Sequence, residues 1–382
     1  MQMAGLWRLY AQNDFLSLRE RLPPPDGHDS AELVFLRAGV LAAFHREQDS
    51  NVLLRQILAQ PDQYPDLDVM ARNRLMLNDR AMFRYSEALA AIAPVLEHAG
   101  GSKQALANRA RLLEALTDVG PQTVSAPAAD TILAVDKAWS VPARVGHQSF
   151  RVLLDTAANF SALSRSQAMA AGLSIRPVRY QIGLPNGARA YADVAVGDVA
   201  LGRTLVRNVV FLVLPEVRTQ APVVLGFPVL AGLGHVRFAQ DAVWLERGTG
   251  AFDSNSHAAD MALADGDPLL HVSFDNELLI CRLDTGAART TFYPRFVYRN
   301  PQFRRTPAAI EWIQSLAGET AVRIFTAPEV TISVAGRLLE LNHSAVLAGT
   351  GDGNLDCNLG RDVLASIGSY SIDYRRMNIA LR

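Results

Sequence analysis

Cysteine is almost absent from this sequence: Cys281 and Cys357 are the only two in 382 residues. That is too few for a disulfide framework to replace a hydrophobic core. Lysine is as scarce, with Lys103 and Lys137 alone, so arginine carries the positive charge. The net charge of -1 gives no basic footprint, which argues against nucleic acid as a partner. No apolar run approaches the ~18 residues that a membrane helix needs, so no membrane span is expected. The opening Met1-Gln2-Met3-Ala4 lacks the basic and apolar regions of a secretory signal. The eight histidines show no metal-ligand spacing, and no Gly-x-Ser-x-Gly, Cys-x-x-Cys or phosphate-loop motif occurs. Neither a metal nor a cofactor is expected.

What is present is a chain that is 49% hydrophobic and 20% charged, a globular balance. Its length exceeds what one core usually serves, which points to two or three domains. Residues 1–119 read as helical. Asp29 is followed three positions on by Glu32, a capping-box spacing, and Leu33, Leu36, Val40, Leu41 and Phe44 then keep to one helical face. Further stripes run through Val52, Leu53, Ile57 and Leu58, through Tyr85, Leu89, Ile92 and Leu96, and from Leu106 to Leu116. Helices of this length joined by short turns predict either a short solenoid of stacked pairs or a plain bundle. Tyr85-Ser86-Glu87-Ala88-Leu89 resembles part of a tetratricopeptide repeat.

After Val119 the pattern changes. Residues 120–130, with Gly120-Pro121 and Pro127, read as a linker. Short β-branched and aromatic runs punctuated by Gly, Pro and Asn follow, which predicts an all-β segment at 131–248. Val141 to Leu154 reads as two strands about a turn at Gly146. Pro185-Asn186-Gly187, between Tyr180-Gln181-Ile182 and Ala190-Tyr191, is the strongest hairpin signal, because both Asn and Gly tolerate positive φ. A polar stretch at 249–267 separates this segment from a third at 268–382.

The second and third segments repeat one layout. Val152-Leu153-Leu154-Asp155-Thr156-Ala157-Ala158 matches Cys281-Arg282-Leu283-Asp284-Thr285-Gly286-Ala287. Val223-Val224-Leu225-Gly226 matches Cys357-Asn358-Leu359-Gly360, and the Asp-to-Gly separations are 71 and 76 residues. Each segment closes on a strand pair, His235-Val236-Arg237-Phe238 to Val243-Trp244-Leu245 and Ser371-Ile372-Asp373-Tyr374 to Asn378-Ile379-Ala380-Leu381. One Asp-Thr pair is an ordinary turn signal. The same ordered set twice is far more specific.

At these residues the sequence resembles the retropepsin-like aspartic peptidases, including bacterial members with two lobes in one chain. The resemblance spans roughly residues 130–382. It implies an N-terminal helical domain followed by two all-β barrel lobes, with Asp155 and Asp284 as the catalytic pair. It further implies that Thr156 and Thr285 cross-brace the two loops, and that the hairpin at Pro185, Asn186 and Gly187 is a lid over bound peptide. A peptide or protein substrate is implied, with the helical domain available to a protein partner, and export to the periplasm follows from the bacterial relatives. Ala157 departs from the family pattern, which has Gly there, as Gly286 does. This departure sustains a rival reading, a peptide-binding or adaptor protein that does not cut.

Two carboxylates held ~3 Å apart cannot both ionise comfortably, so such a pair keeps one proton and supplies both acid and base. Other expectations are plainer. Between Asp284 and Leu359, Pro307 to Leu316 reads as a helix, and no counterpart of the Asn186-Gly187 hairpin is evident, so one lid is expected. Arg289, aligned with Phe160, reads as either a solvated side chain or a contact to substrate or dyad. Cys281 and Cys357 align with Val152 and Val223, so buried core thiols are the default and a disulfide the alternative.

Overall fold

The computed structural model describes residues 3–25, 27–60, 65–98, 103–183, 189–215, 222–247, 257–304, 309–315, 318–347 and 353–381. The chain divides into two compact units. One comprises residues 1–122 with two short pieces, 176–180 and 262–265, and the other comprises the rest.

The first unit is helical, with segments Met3–Ala11, Phe15–Arg21, Ala31–Ala43, Glu47–Leu58, Pro65–Ala81, Tyr85–His98 and Lys103–Glu114. From Ala31 onward each helix packs on its successor, burying Phe35, Leu36, Leu54, Met76 and Ile92. The N-cap of Ala31–Ala43 is Ser30, whose hydroxyl accepts from the Leu33 N–H at 3.3 Å, not the expected Asp29. Asp29 instead holds Arg37 Nε at 2.5 Å. An ion pair about two turns along the helix thus outcompetes a cap that the neighbouring serine supplies equally well. A buried polar knot ties three of the helices. Ser50 Oγ donates to Ala38 O at 2.7 Å, Asn78 Nδ2 lies 2.8 Å from both Ser50 Oγ and Asn51 Oδ1, and Asn51 Nδ2 donates to Asp79 Oδ1 at 2.8 Å. Each of these buried polar groups is satisfied, which is the condition for keeping them inside.

The second unit holds two β lobes of one topology. In lobe one, strands Val141–Val145 and Gln148–Leu154 form a hairpin, and Leu154 leads into Asp155. The turn uses Gly146 at φ +55°, where a Cβ would stand 2.3 Å from Ala171 O. Gln148–Leu154 pairs in parallel with Val223–Leu225. Ser161–Ser164 pairs in parallel with Thr204–Leu214, which pairs in turn with Arg189–Leu201. Lobe two repeats this: Glu277–Leu283 runs parallel to Cys357–Leu359, Thr291–Phe292 parallel to Arg337–Leu347, and Arg337–Leu347 antiparallel to Gly318–Val334. The short strands Val223–Leu225 and Cys357–Leu359, each flanked on both sides, are buried along their whole length.

The closing strands of the two lobes join each other. A run of six strands reads, in order, His257–Ala264, Asn378–Leu381, Ser369–Asp373, His235–Ala239, Ala242–Leu245 and Thr131–Ala134. His235 to Ala239 pairs antiparallel with Asp373 to Ser369 across its middle. Each lobe thereby covers the other's sheet edge, which would otherwise be open to pairing with another chain.

Five expectations are corrected. The segment 120–130, read as linker, contains the strand Thr123–Ser125, paired with Arg207 to Leu205. The segment 249–267, also read as linker, contains the whole of the strand His257–Ala264. Pro307 to Leu316, read as a helix, contains the strand Ala309–Ser315, paired along its length with Ile324 to Gly318. Tertiary pairing there overrides a local helical pattern. Lobe two therefore does have a counterpart of the lobe-one hairpin formed by Ile175–Gly183 and Arg189–Leu201. Pro185, Asn186 and Gly187, the expected lid tip, lie outside the described residues. Lastly, Cys281 and Cys357 form a disulfide, not free thiols. They are direct partners in adjacent parallel strands, with Cα atoms 4.6 Å apart, within bridging range.

Candidate active site

The two Asp-Thr loops leave equivalent strands and are held by equivalent bonds. Asp155 N–H donates to Leu225 O at 3.0 Å, and Asp284 N–H donates to Leu359 O at 2.9 Å. Between them lies a reciprocal brace. Thr156 Oγ1 donates to Leu283 O at 2.6 Å and accepts from Thr285 N–H at 3.0 Å. Thr285 Oγ1 donates to Leu154 O at 2.6 Å and accepts from Thr156 N–H at 3.0 Å. Both threonines are fully buried, so every bond here is made away from competing water.

The brace brings the aspartates of one chain to the same place. The Asp155 carboxylate lies against the Gly286 α-carbon, and a Cβ added at Gly286 would stand 2.4 Å from Asp155 Oδ2. Only glycine fits that close approach. Ala157 occupies the equivalent position in lobe one without positive φ, so its side chain brings no backbone strain. Asp155 Oδ1 accepts from Ala157 N–H at 2.9 Å, and Asp284 Oδ1 from Ala287 N–H at 2.9 Å. Burial, and then the neighbouring Asp284 charge, push the Asp155 carboxyl up to about 7. A carboxyl so raised is protonated in mildly acidic solution and shares its proton with solvent near neutrality.

Several polar residues of the site escaped sequence reasoning. Ser161 Oγ accepts from Gly226 N–H at 3.1 Å, and Thr290 Oγ1 accepts from Gly360 N–H at 3.1 Å. Both hydroxyls stand six positions after their Asp, a signal present in the repeat but not used. Asn358 Nδ2 donates to Asp284 Oδ2 at 2.7 Å, and Arg282 Nε donates to Asn358 Oδ1 at 2.7 Å. Arg361 Nη1 donates to Thr285 O and Gly286 O at 3.0 and 2.9 Å, with its guanidinium 5.4 Å from the Trp139 ring centroid. Arg289 pairs with Glu311 on strand Ala309–Ser315, so it is neither simply solvated nor bonded to the dyad. Among the described residues no cluster of His, Cys, Asp and Glu fits a metal ion. No helix among them is long and apolar enough to cross a membrane.

A two-lobed β unit whose Asp-Thr loops are braced across a pseudo-twofold defines an aspartic-protease type of fold. Comparison agrees for lobe one: the family model described as aspartyl protease matches residues 141–229. Among solved structures the chain is similar to basic 7S globulin from soybean, at 11% identity and a TM-score of 0.41, covering 67% of this chain and 96% of that one. No curated protein matches the sequence.

Proposed function

We propose that this protein is an aspartic endopeptidase in which Asp155 and Asp284 activate a water molecule between them. The observation that carries the reading is the reciprocal Thr156–Thr285 brace, which aims two carboxyl-bearing loops of one chain at each other. In the reaction, the ionised carboxylate takes a proton from water as its oxygen attacks the scissile carbonyl carbon. The protonated carboxyl gives its proton to the carbonyl oxygen, forming a neutral diol. Collapse of the diol returns a proton to the leaving nitrogen, breaks the C–N bond and restores the one-proton dyad. The paired hairpins Ile175–Gly183/Arg189–Leu201 and Ala309–Ser315/Gly318–Val334 supply lids, and the helical unit recruits a substrate or partner protein. The Cys281–Cys357 disulfide favours an oxidising compartment, the periplasm, over a reducing one.

A non-cutting peptide binder is favoured by one observation, Ala157 where lobe two has Gly286. Incubation with a proteome-derived peptide library separates the readings. Native protein cleaves peptides and Asp284→Asn does not; a folded native protein that cleaves nothing supports the binder. Asp155→Asn and Asp284→Asn each abolish cleavage, and mixing them restores none. Recovery on mixing would mean that the dyad forms between chains.

A further inference from the structure

The two lobes share a fold but not the chemistry beside their aspartates. On the strands flanking Asp155, the direct cross-strand partners are Leu153 and Val224. At the same register beside Asp284 they are Arg282 and Asn358. The buried amide of Asn358 replaces an aliphatic side chain and stands between a guanidinium and a carboxylate. Arginine has donors only, so Asn358 must turn its Oδ1 to Arg282 Nε and its Nδ2 to Asp284 Oδ2, each at 2.7 Å. The amide orientation, and with it the polarity of the relay, follows from the chemistry of its ends.

We infer that Arg282 and Asn358 form a positioning relay that keeps Asp284 ionised and thereby leaves the dyad's proton on Asp155. Both oxygens of Asp284 accept a hydrogen bond, Oδ1 from Ala287 N–H at 2.9 Å and Oδ2 from Asn358 at 2.7 Å. Bonds donated to a carboxylate favour its charged form. Asp155 has backbone N–H bonds from Ala157 and Ala158, while Leu153 and Val224 have no side-chain donor to offer.

The surroundings agree. Arg282 is anchored by Asp267 Oδ2 at 3.3 Å and Tyr293 OH at 3.1 Å. Although burial opposes its charge, Tyr293, Asp267 and Asp284 more than offset this and push its pKa up. Arg361, on the segment after Cys357–Leu359, adds a second cation facing both aspartates. Tyr370, on the strand Ser369–Asp373, is held protonated by burial and by the Asp284 charge. Asp155 from lobe one is the anion opposing Asp284. Both cations act on Asp155 as well as on Asp284, so the feature that sets Asp284 apart is the side-chain amide of Asn358 on its Oδ2.

The relay makes Asp284 the base that receives the water proton and Asp155 the acid that protonates the carbonyl oxygen. This assignment rests on the endopeptidase reading, but the charge state behind it is measurable without catalysis. The experiment is a pH titration of protein carrying ¹³Cγ-labelled aspartate, followed by NMR, with Asp155→Asn and Asp284→Asn assigning the two signals. The native protein shows the Asp155 signal titrating near neutrality. Asn358→Val, which installs the lobe-one residue, moves the Asp284 titration up by roughly one pH unit or more. Arg282→Gln, which keeps a donor for Asn358 but removes the charge, moves it the same way by less, and decides the matter if Asn358→Val does not fold. The acid limb of the kcat/KM profile shifts with it, a change that a purely structural asparagine would not produce. An Asp284 titration unmoved in folded Asn358→Val and in Arg282→Gln overturns the relay. So does a near-neutral signal that vanishes in Asp284→Asn and survives in Asp155→Asn. The expected titrations without any peptide cleavage uphold the relay and refute the endopeptidase reading instead.

Discussion

Replacing Thr285 with valine tests the brace at the centre of the site. The substitution is nearly isosteric, so packing changes little and the lost hydroxyl dominates. That hydroxyl donates to Leu154 O at 2.6 Å and accepts from Thr156 N–H at 3.0 Å. With Thr285 1% exposed and Thr156 0% exposed, no water replaces it. Two backbone groups are then left buried and unpaired, at about 1–3 kcal/mol each, so Thr285→Val costs about 2–6 kcal/mol. Thr156→Val removes the mirror-image pair, from Leu283 O and Thr285 N–H, and costs a similar amount. Because the two hydroxyls belong to one network, the double variant loses less than the sum. Thr285→Ser keeps both bonds and stays much closer to native. Urea denaturation followed by far-UV circular dichroism reads the stabilities, and peptide cleavage reads the geometry of the dyad. A Thr285→Val protein within about 0.5 kcal/mol of native, with cleavage intact, would refute the claim that the brace holds the loops together.

Peptide cleavage falls as pH rises through about 7, the value to which burial and Asp284 push the Asp155 carboxyl; full activity persisting well above that pH would refute the one-proton dyad. Stability carries the same signature: the folded pKa lies above the unfolded value of ~3.9, so the linked stabilisation is complete below about pH 4 and is lost as pH climbs toward 7. Urea midpoints across that range show the loss in native protein and not in Asp155→Asn. Gly286→Ala puts a methyl 2.4 Å from Asp155 Oδ2 and lowers kcat/KM by about 100-fold or more, whereas Ala157→Gly preserves or raises it and costs about 0.4–1 kcal/mol of stability. Cys281→Ser with Cys357→Ser opens a loop of 76 residues' separation and costs about 4–5 kcal/mol by chain entropy; an unchanged urea midpoint would contradict the disulfide's role.

The internal repeat made the division into helices and two similar β lobes legible, because strand alternation, Asp-Thr turns and Leu-Gly steps are local patterns fixed by backbone sterics and burial. The Ser161 and Thr290 bonds to Gly226 and Gly360 were open to the same alignment, since each hydroxyl keeps one spacing from its Asp. Other features depend on partners far away in sequence. Ala309–Ser315 has a helical pattern of its own and becomes a strand only because Gly318–Val334 lies alongside it. The Cys281–Cys357 bond needed the register of two parallel strands, which the spacing of the cysteines does not contain. The same register turns Arg282 and Asn358 from two polar residues in apolar strands into a chain ending on Asp284. Sequence alone determined that two equivalent loops exist. Tertiary structure decided that they meet within one chain and that their surroundings differ, because hydrogen bonding and charge depend on distances that only the assembled strands set.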